Sequence, residues 1–280
     1  MTTTKLHSRN TIHKAHNPKS LIVIAAMVLL AVALVGVIVV YEKLHAIWLT
    51  QCTIVDPEVQ CEVVTSGKMI KPSTIRDFFD IREGGNLWQI DFRKKRAEIL
   101  EKYPTIRTIA ISRKLPKKVT ITVTEREPMV RMGIKGVRTN SGRVADRFGI
   151  VFPCARGVDM LPIIKEGAAP GTPKGKMLTG NAIAALKLIE ASQDPEFQEL
   201  GILEVDVSKK DYLLATLSNY QRAKLAWDGM GKPSDRNKDK MLRVMRNLRD
   251  AINARLTAPN VTWNATEPDR VYADTKEPIK

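Results

Sequence analysis

Residues Thr105–Pro128 read TIRTIAISRKLPKKVTITVTEREP, and the second half of this stretch decides the fold. Val119, Ile121 and Val123 alternate with Thr120, Thr122 and Thr124, the period of two that turns one row of side chains toward a core and the other toward water. Ile106, Ile109 and Ile111 predict a second strand just before it, joined by the hairpin connection Arg113–Lys118. Working upstream, Pro104 marks the end of a helix that Asp91 would cap, with Ala97, Ile99 and Leu100 facing inward. Gly84-Gly85-Asn86 breaks the chain before it. Pro72 opens a shorter helix at its first turn, with Ile75, Phe78 and Phe79 on one face. Val59–Val64 predicts a strand ahead of that. The order is strand–helix–helix–strand–strand, one sheet with two helices on a face.

Further upstream, Leu21–Val40 is LIVIAAMVLLAVALVGVIVV, with no charge and no side-chain amide. Such a run suits a hydrocarbon layer of roughly 30 Å at about 1.5 Å per helical residue. A cleaved signal peptide would carry a shorter apolar region and a small-residue cleavage site, and Tyr41-Glu42-Lys43-Leu44-His45 offers none. Lys5, Arg9, Lys14 and Lys19 precede the run without an acid, so residues 1–20 form a basic tail expected in the cytoplasm, and residues 41–280 are expected across the membrane. The expected topology is single-pass type II.

The chain carries 45 Lys+Arg against 30 Asp+Glu, a net charge of +15, and removing the four basic residues of the tail leaves 41 − 30 = +11 for the remainder. A surface of this sign favours anionic neighbours such as lipid headgroups or acidic wall polymers. Nucleic acid is set aside because the basic domains lie outside the cytoplasm. All four histidines (His7, His13, His16, His45) precede the predicted outer domains, which removes His-ligated metal sites and His-based acid–base chemistry there. Neither Gly84-Gly85 nor Gly229-Met230-Gly231-Lys232 has the phosphate-loop spacing, and no C-x-x-C occurs. The reading is therefore non-enzymatic, without a cofactor, metal or small-molecule substrate. Cys52 and Cys61 could close a small loop as a disulfide or stay as two buried thiols. Cys154 is the odd one.

Beyond Pro128 the pattern predicts a second α+β domain. Val144–Phe152 (VADRFGIVF) reads as a hairpin, Ala168–Gly175 as a loop and Gly180–Ser192 as a helix. Ile202–Val207, Tyr212–Leu217 and Ala223–Trp227 read as strands. From about Asp239 to Ala254, Met241, Val244, Met245, Leu248, Ala251 and Ile252 make a helical stripe. A last strand falls near Arg270–Ala273.

Taken together, Gly84–Asp91 (GGNLWQID), Lys102–Ile106 (KYPTI), the span Ile109–Pro128 with its ERxP ending, VADRFGIVF and Leu161–Gly167 (LPIIKEG) resemble the FtsQ/DivIB family of bacterial cell-division proteins. Ile106 and Ile111 stand where that family prefers Val, and its I-D-L-R motif after the last helix is missing. The resemblance implies a POTRA domain (β-α-α-β-β) over residues 55–127 and a β-rich domain over 128–280, its sheet extending from the POTRA with helices on one side. It implies a bitopic scaffold at the division septum of the cell inner membrane that recruits and regulates wall-synthesis partners. Its partners would be FtsB/FtsL-type coiled-coil division proteins, met through strand edges. By position, Arg270, Val271 and Tyr272 with nearby Trp263 are the candidate contacts, and in the POTRA Arg113 and Arg126. For Arg126 a hairpin ion pair is the plainer role, and for Trp263 the core. Two other readings stand beside this one: a POTRA module for translocation or barrel assembly, and a basic wall-polymer or anionic-lipid binder.

Overall fold

The computed structural model describes residues 18–114, 116–134, 142–154, 157–167, 171–232, 235–254, 261–267 and 269–274. The basic tail residues Lys5, Arg9 and Lys14 lie outside them, as does Leu115 of the predicted hairpin. Helix α1 (Pro18–Gln51) contains the apolar run and continues eleven residues past Val40. Its stretch from Ile22 is long and apolar enough to cross a membrane, and none of its apolar window is buried among the described residues.

A short helix, α2 (Pro57–Gln60), follows at once. The expected strand therefore starts late: Asp56 caps this turn through Glu58 N and Val59 N, and Pro57 sits at its start, so Val59 and Gln60 are helical and β1 runs Cys61–Thr65. Helices α3 (Pro72–Phe78) and α4 (Phe92–Lys102) come next, then β2 (Ile106–Lys114) and β3 (Lys118–Glu125). They form a three-stranded sheet in the order β1-β3-β2, with β1 parallel and β2 antiparallel to the central β3. Asp91 caps α4 as expected, accepting from Arg93 N and Lys94 N. The inward stripe of α4 is Phe92, Ile99 and the half-buried Leu100, whereas Ala97 faces water two positions round from Lys95. Phe79 and Phe92 stack at 5.6 Å beneath the sheet, worth roughly 1 kcal/mol beyond the area they bury. On β2 the register shifts between Ile106 and Thr108, a bulge that brings Ile106 and Ile109 to the same buried face despite their odd spacing.

The second half holds a separate sheet of nine strands, β12-β11-β10-β9-β8-β7-β4-β5-β6. The strands are β4 (Val130–Ile134), β5 (Arg143–Ala145), β6 (Val151–Pro153), β7 (Ile163–Glu166), β8 (Ile202–Asp206), β9 (Leu213–Leu217), β10 (Arg222–Leu225), β11 (Thr262–Glu267) and β12 (Arg270–Asp274). The sheet does not extend from the POTRA, as the resemblance implied; the hydrogen bonding of β3 stops at Glu125 and β4 pairs with β5 and β7 instead. Helices α5 (Gly180–Ser192) and α6 (Asp235–Ala254), with a 3-10 helix at Pro195–Leu200, cover one face. Helix α6 begins earlier than the stripe of apolar residues predicts.

Register explains why one face is dry. Met132, Ile164, Val205, Ala215, Ala223, Trp263 and Ala273 lie in one row across seven strands, and all but Ala273 are buried. Met241, Val244, Met245 and Leu248 of α6 close over this layer and are core. Shifting one residue along each strand gives the row Lys165, Asp206, Leu214, Lys224, Asn264 and Tyr272, half-buried or exposed on the uncovered face.

Candidate partner-docking edge

The strand β12 is the end strand of the larger sheet and pairs on one side only, antiparallel with β11. It stands there because β11 runs parallel to β10, which requires a crossover, and α6 supplies it. Val271 and Ala273 point toward the helix-covered core and are half-buried. Tyr272, 45% exposed, takes the opposite face, and its hydroxyl accepts from Asn264 Nδ2 at 3.0 Å. Arg270 is exposed at the strand's start, where Asp269 pairs with Arg243 of α6 at 2.6 Å. At the other end Lys224 of β10 reaches Asp274 at 3.2 Å. The strand is thus fixed at both ends and on its inner side, while its outer edge pairs with no strand among the described residues, the arrangement an added strand needs.

Trp263 is on the neighbouring strand but not on this surface. It is 2% exposed, and its indole nitrogen donates to the buried Gln221 Oε1 at 2.8 Å. Its role is core, holding β11 under α6.

The two POTRA candidates lie on the other sheet and are not brought to β12. Arg113, near the end of β2, lays its guanidinium 4.5 Å above the Phe92 ring. Arg126 does not make a pair within its own hairpin. Its Nη1 donates to Asp146 Oδ2 at 2.7 Å and its Nε to the Pro104 carbonyl at 2.9 Å, so it bridges the two halves of the chain. Asp146 also accepts from Phe148 N at 3.0 Å and Ile150 N at 2.9 Å, which shapes the turn that Gly149 completes at φ +82°. Beside this pair Arg107 of β2 sits 4.5 Å over the ring of Phe148. The Arg126–Asp146 pair and the Arg107–Phe148 contact form a joint between the POTRA and the larger sheet. Asp146 lies in the stretch read from sequence as a hairpin, and an acid and an arginine twenty residues apart give no periodic signal that they meet.

Glu125, next to Arg126, is buried where most strand ends are wet. Its carboxylate accepts from Met69 N at 3.0 Å and Ile70 N at 3.1 Å, and its own N–H is held by Ser66 Oγ at 2.9 Å. It thereby pins the loop between β1 and α3.

Cys52, Cys61 and Cys154 are unbridged and buried, so the possible Cys52–Cys61 loop closure is not made. Burial pushes the Cys61 thiol up to about 11, against a smaller opposing pull from Arg76, and burial likewise raises Cys52. Thiols in that state are poor nucleophiles at neutral pH. Among the described residues no group of three or more His, Cys, Asp and Glu side chains could hold a metal ion.

A family model for the FtsQ-type POTRA domain matches residues 62–126, from β1 to the joint arginine. The Cell division protein FtsQ of Corynebacterium glutamicum is 31% identical over 117 residues, covering 41% of this chain and 46% of that protein. The proteins of the same name from Myxococcus fulvus and Streptomyces collinus are 28% identical over 131 residues and 25% over 108. The matched stretches span somewhat less than half the length of each relative. A strand–helix–helix–strand–strand unit behind a long apolar helix is the order expected from the motifs, and the same unit carries the match: over this part the chain has an FtsQ-type POTRA domain and is similar to proteins named Cell division protein FtsQ.

Proposed function

We propose that this protein is a single-pass, non-catalytic scaffold of bacterial cell division that gathers septal wall-synthesis partners by strand addition. Residues 1–20 are the cytoplasmic tail, 21–40 cross the membrane, and the outer domains are 55–127 and 128–280. One observation carries the docking reading: β12 ends the nine-stranded sheet, held from within and open outward. Backbone groups on such an edge supply affinity, and the exposed Arg270 and Tyr272 supply selectivity. The partners are FtsB/FtsL-type coiled-coil division proteins, and the working position is the septum. The FtsQ-type POTRA match and three relatives named for cell division support the role.

A proline scan of β12 tests it. Neighbouring residues on a strand aim their N–H groups to opposite sides, so of Val271→Pro and Tyr272→Pro one removes an outward donor and the other breaks the bond to β11. The expected result is a variant that keeps its fold by circular dichroism yet no longer binds the outer part of an FtsB-type partner from the same genome. Full binding by both folded variants refutes strand addition. Wild-type binding that appears only at low salt and survives both prolines favours general attraction to the +11 surface instead.

A further inference from the structure

Where α1 leaves the membrane it does not become polar all round. Tyr41, Leu44 and Trp48 recur at helical spacing and are exposed, continuing the apolar run past Val40; His45 stacks on Tyr41 at 6.0 Å beside this stripe, while Glu42 and Lys43 fall on other faces. At the top of this stripe the POTRA domain contributes Trp88, whose ring lies 6.1 Å from that of Trp48 at 46°. Both indoles are large, about half exposed (53% for Trp88 and 47% for Trp48), and neither ring nitrogen makes a hydrogen bond among the described residues.

Trp88 is placed there rigidly. Leu87, its neighbour, is fully buried, and its N–H bonds to the Cys52 carbonyl at 3.0 Å, which turns the next side chain outward. Asn86 donates from Nδ2 to the Leu49 carbonyl at 2.6 Å, bridges to Thr53, and accepts from Trp88 N at 2.9 Å. Ile54 is bonded in both directions to the Gly84-Gly85 turn. The segment is therefore clamped onto the end of the anchor helix.

The height fits an interface. Val40 to Trp48 is about 12 Å of helix rise. Helical side chains lean back toward the N-terminus, so the Trp48 indole sits lower than its Cα, at or near a polar headgroup layer of roughly 5–8 Å. Indoles favour that layer because one edge is apolar and the N–H finds an ester or phosphate oxygen.

We propose that Trp88 is a second membrane anchor: with Trp48 it inserts at the headgroup–acyl boundary of the facing leaflet and holds the POTRA domain against the lipid surface. The occupant is phospholipid, since the surface is continuous with the membrane-crossing helix. The inference does not depend on which partners the protein binds.

The test uses the full chain in phosphatidylcholine/phosphatidylglycerol vesicles whose acyl chains are brominated either near the headgroup or near the chain end. The Trp88 emission is the difference between wild type and Trp88→Phe, with Trp88→Ser as a second variant whose fold is checked by circular dichroism. Expected is loss of most of that difference emission with headgroup-proximal bromine and much less with deep bromine. In Trp88→Ser, Trp48 should become more accessible to aqueous iodide. Difference emission untouched by either brominated lipid but quenched by iodide overturns the proposal. So does emission shielded from both quenchers in proportion to the protein-to-lipid ratio, which would assign the stripe to a second copy of the chain.

Discussion

Replacing Asp146 with alanine removes more than one contact. The carboxylate is 4% exposed and Arg126 17%, so the pair is largely shielded from water. Breaking a buried pair by removing one partner typically costs 3–5 kcal/mol, because the other charge stays behind uncompensated. Arg126 keeps its bond to the Pro104 carbonyl and some access to water, which places the loss near the low end, about 3 kcal/mol. The N–H groups of Phe148 and Ile150 also lose their acceptor, adding about 1 kcal/mol because both are partly wet. Asp146→Ala should thus cost about 4 kcal/mol, and Asp146→Asn, which keeps an acceptor for the turn, about 2–3 kcal/mol. The assay is guanidinium denaturation of the full chain in detergent, followed by two probes. In a Trp48→Phe, Trp88→Phe background, emission from the buried Trp227 and Trp263 reports the larger sheet, and alkylation of Cys52 and Cys61 reports the POTRA side. Wild type should give coincident transitions, and Asp146→Ala two separated ones, because the joint couples the halves. A loss under about 1 kcal/mol with the probes still coincident would refute the joint, since even one broken shielded pair should exceed that. In a double-mutant cycle, Arg126→Met should remove most of the penalty of Asp146→Asn.

Gly67→Ala should destabilise the POTRA by about 2–3 kcal/mol, since an added Cβ would lie 2.3 Å from Glu125 Oε2 and drive the carboxylate off the N–H groups of Met69 and Ile70; thermal unfolding checks it, and an unchanged midpoint contradicts it. Cys52 and Cys61 should resist iodoacetamide in the folded protein at neutral pH and react on unfolding, as read by mass spectrometry, because burial raises both thiols. The hydrogen bond from Lys95 to Asp80, and secondarily the lysine's charge, hold that carboxyl below its usual value. The stabilisation this brings is present at neutral pH and lost as pH falls through the lowered folded value; an NMR titration of Lys95→Met should show Asp80 moving up toward an ordinary carboxylate.

The elements most legible in the sequence were those whose period matched one buried face. Val119, Ile121 and Val123 fall inward as their alternation predicts, and the stripe from Met241 to Leu248 packs as a helix should. Illegible were the places where a local device interrupts the period. The β2 bulge makes Ile106 and Ile109 share a face, and the Asp56 cap takes Val59 and Gln60 out of β1. The strands β4 and β11 hid for another reason. VRMGI contains a glycine, and TWNATE keeps polar residues on the open side, so neither has the apolar density of β3. As for the candidate site, the last strand was visible as a run of residues, but its standing at the sheet's end depends on the crossover through α6, a tertiary fact. The roles of Trp263 and Arg126 likewise come from partners, Gln221 and Asp146, far along the chain.

The crossover has a bearing on biogenesis. Ribosomes deliver residues in order, at roughly 5–20 per second, and β12 joins the sheet only after β10, α6 and β11 are in place. The surface proposed to recruit partners therefore does not exist on a half-made chain. Recruitment through it, as proposed, would admit only molecules whose nine-stranded sheet is assembled, so the topology would tie docking to the folding of that sheet.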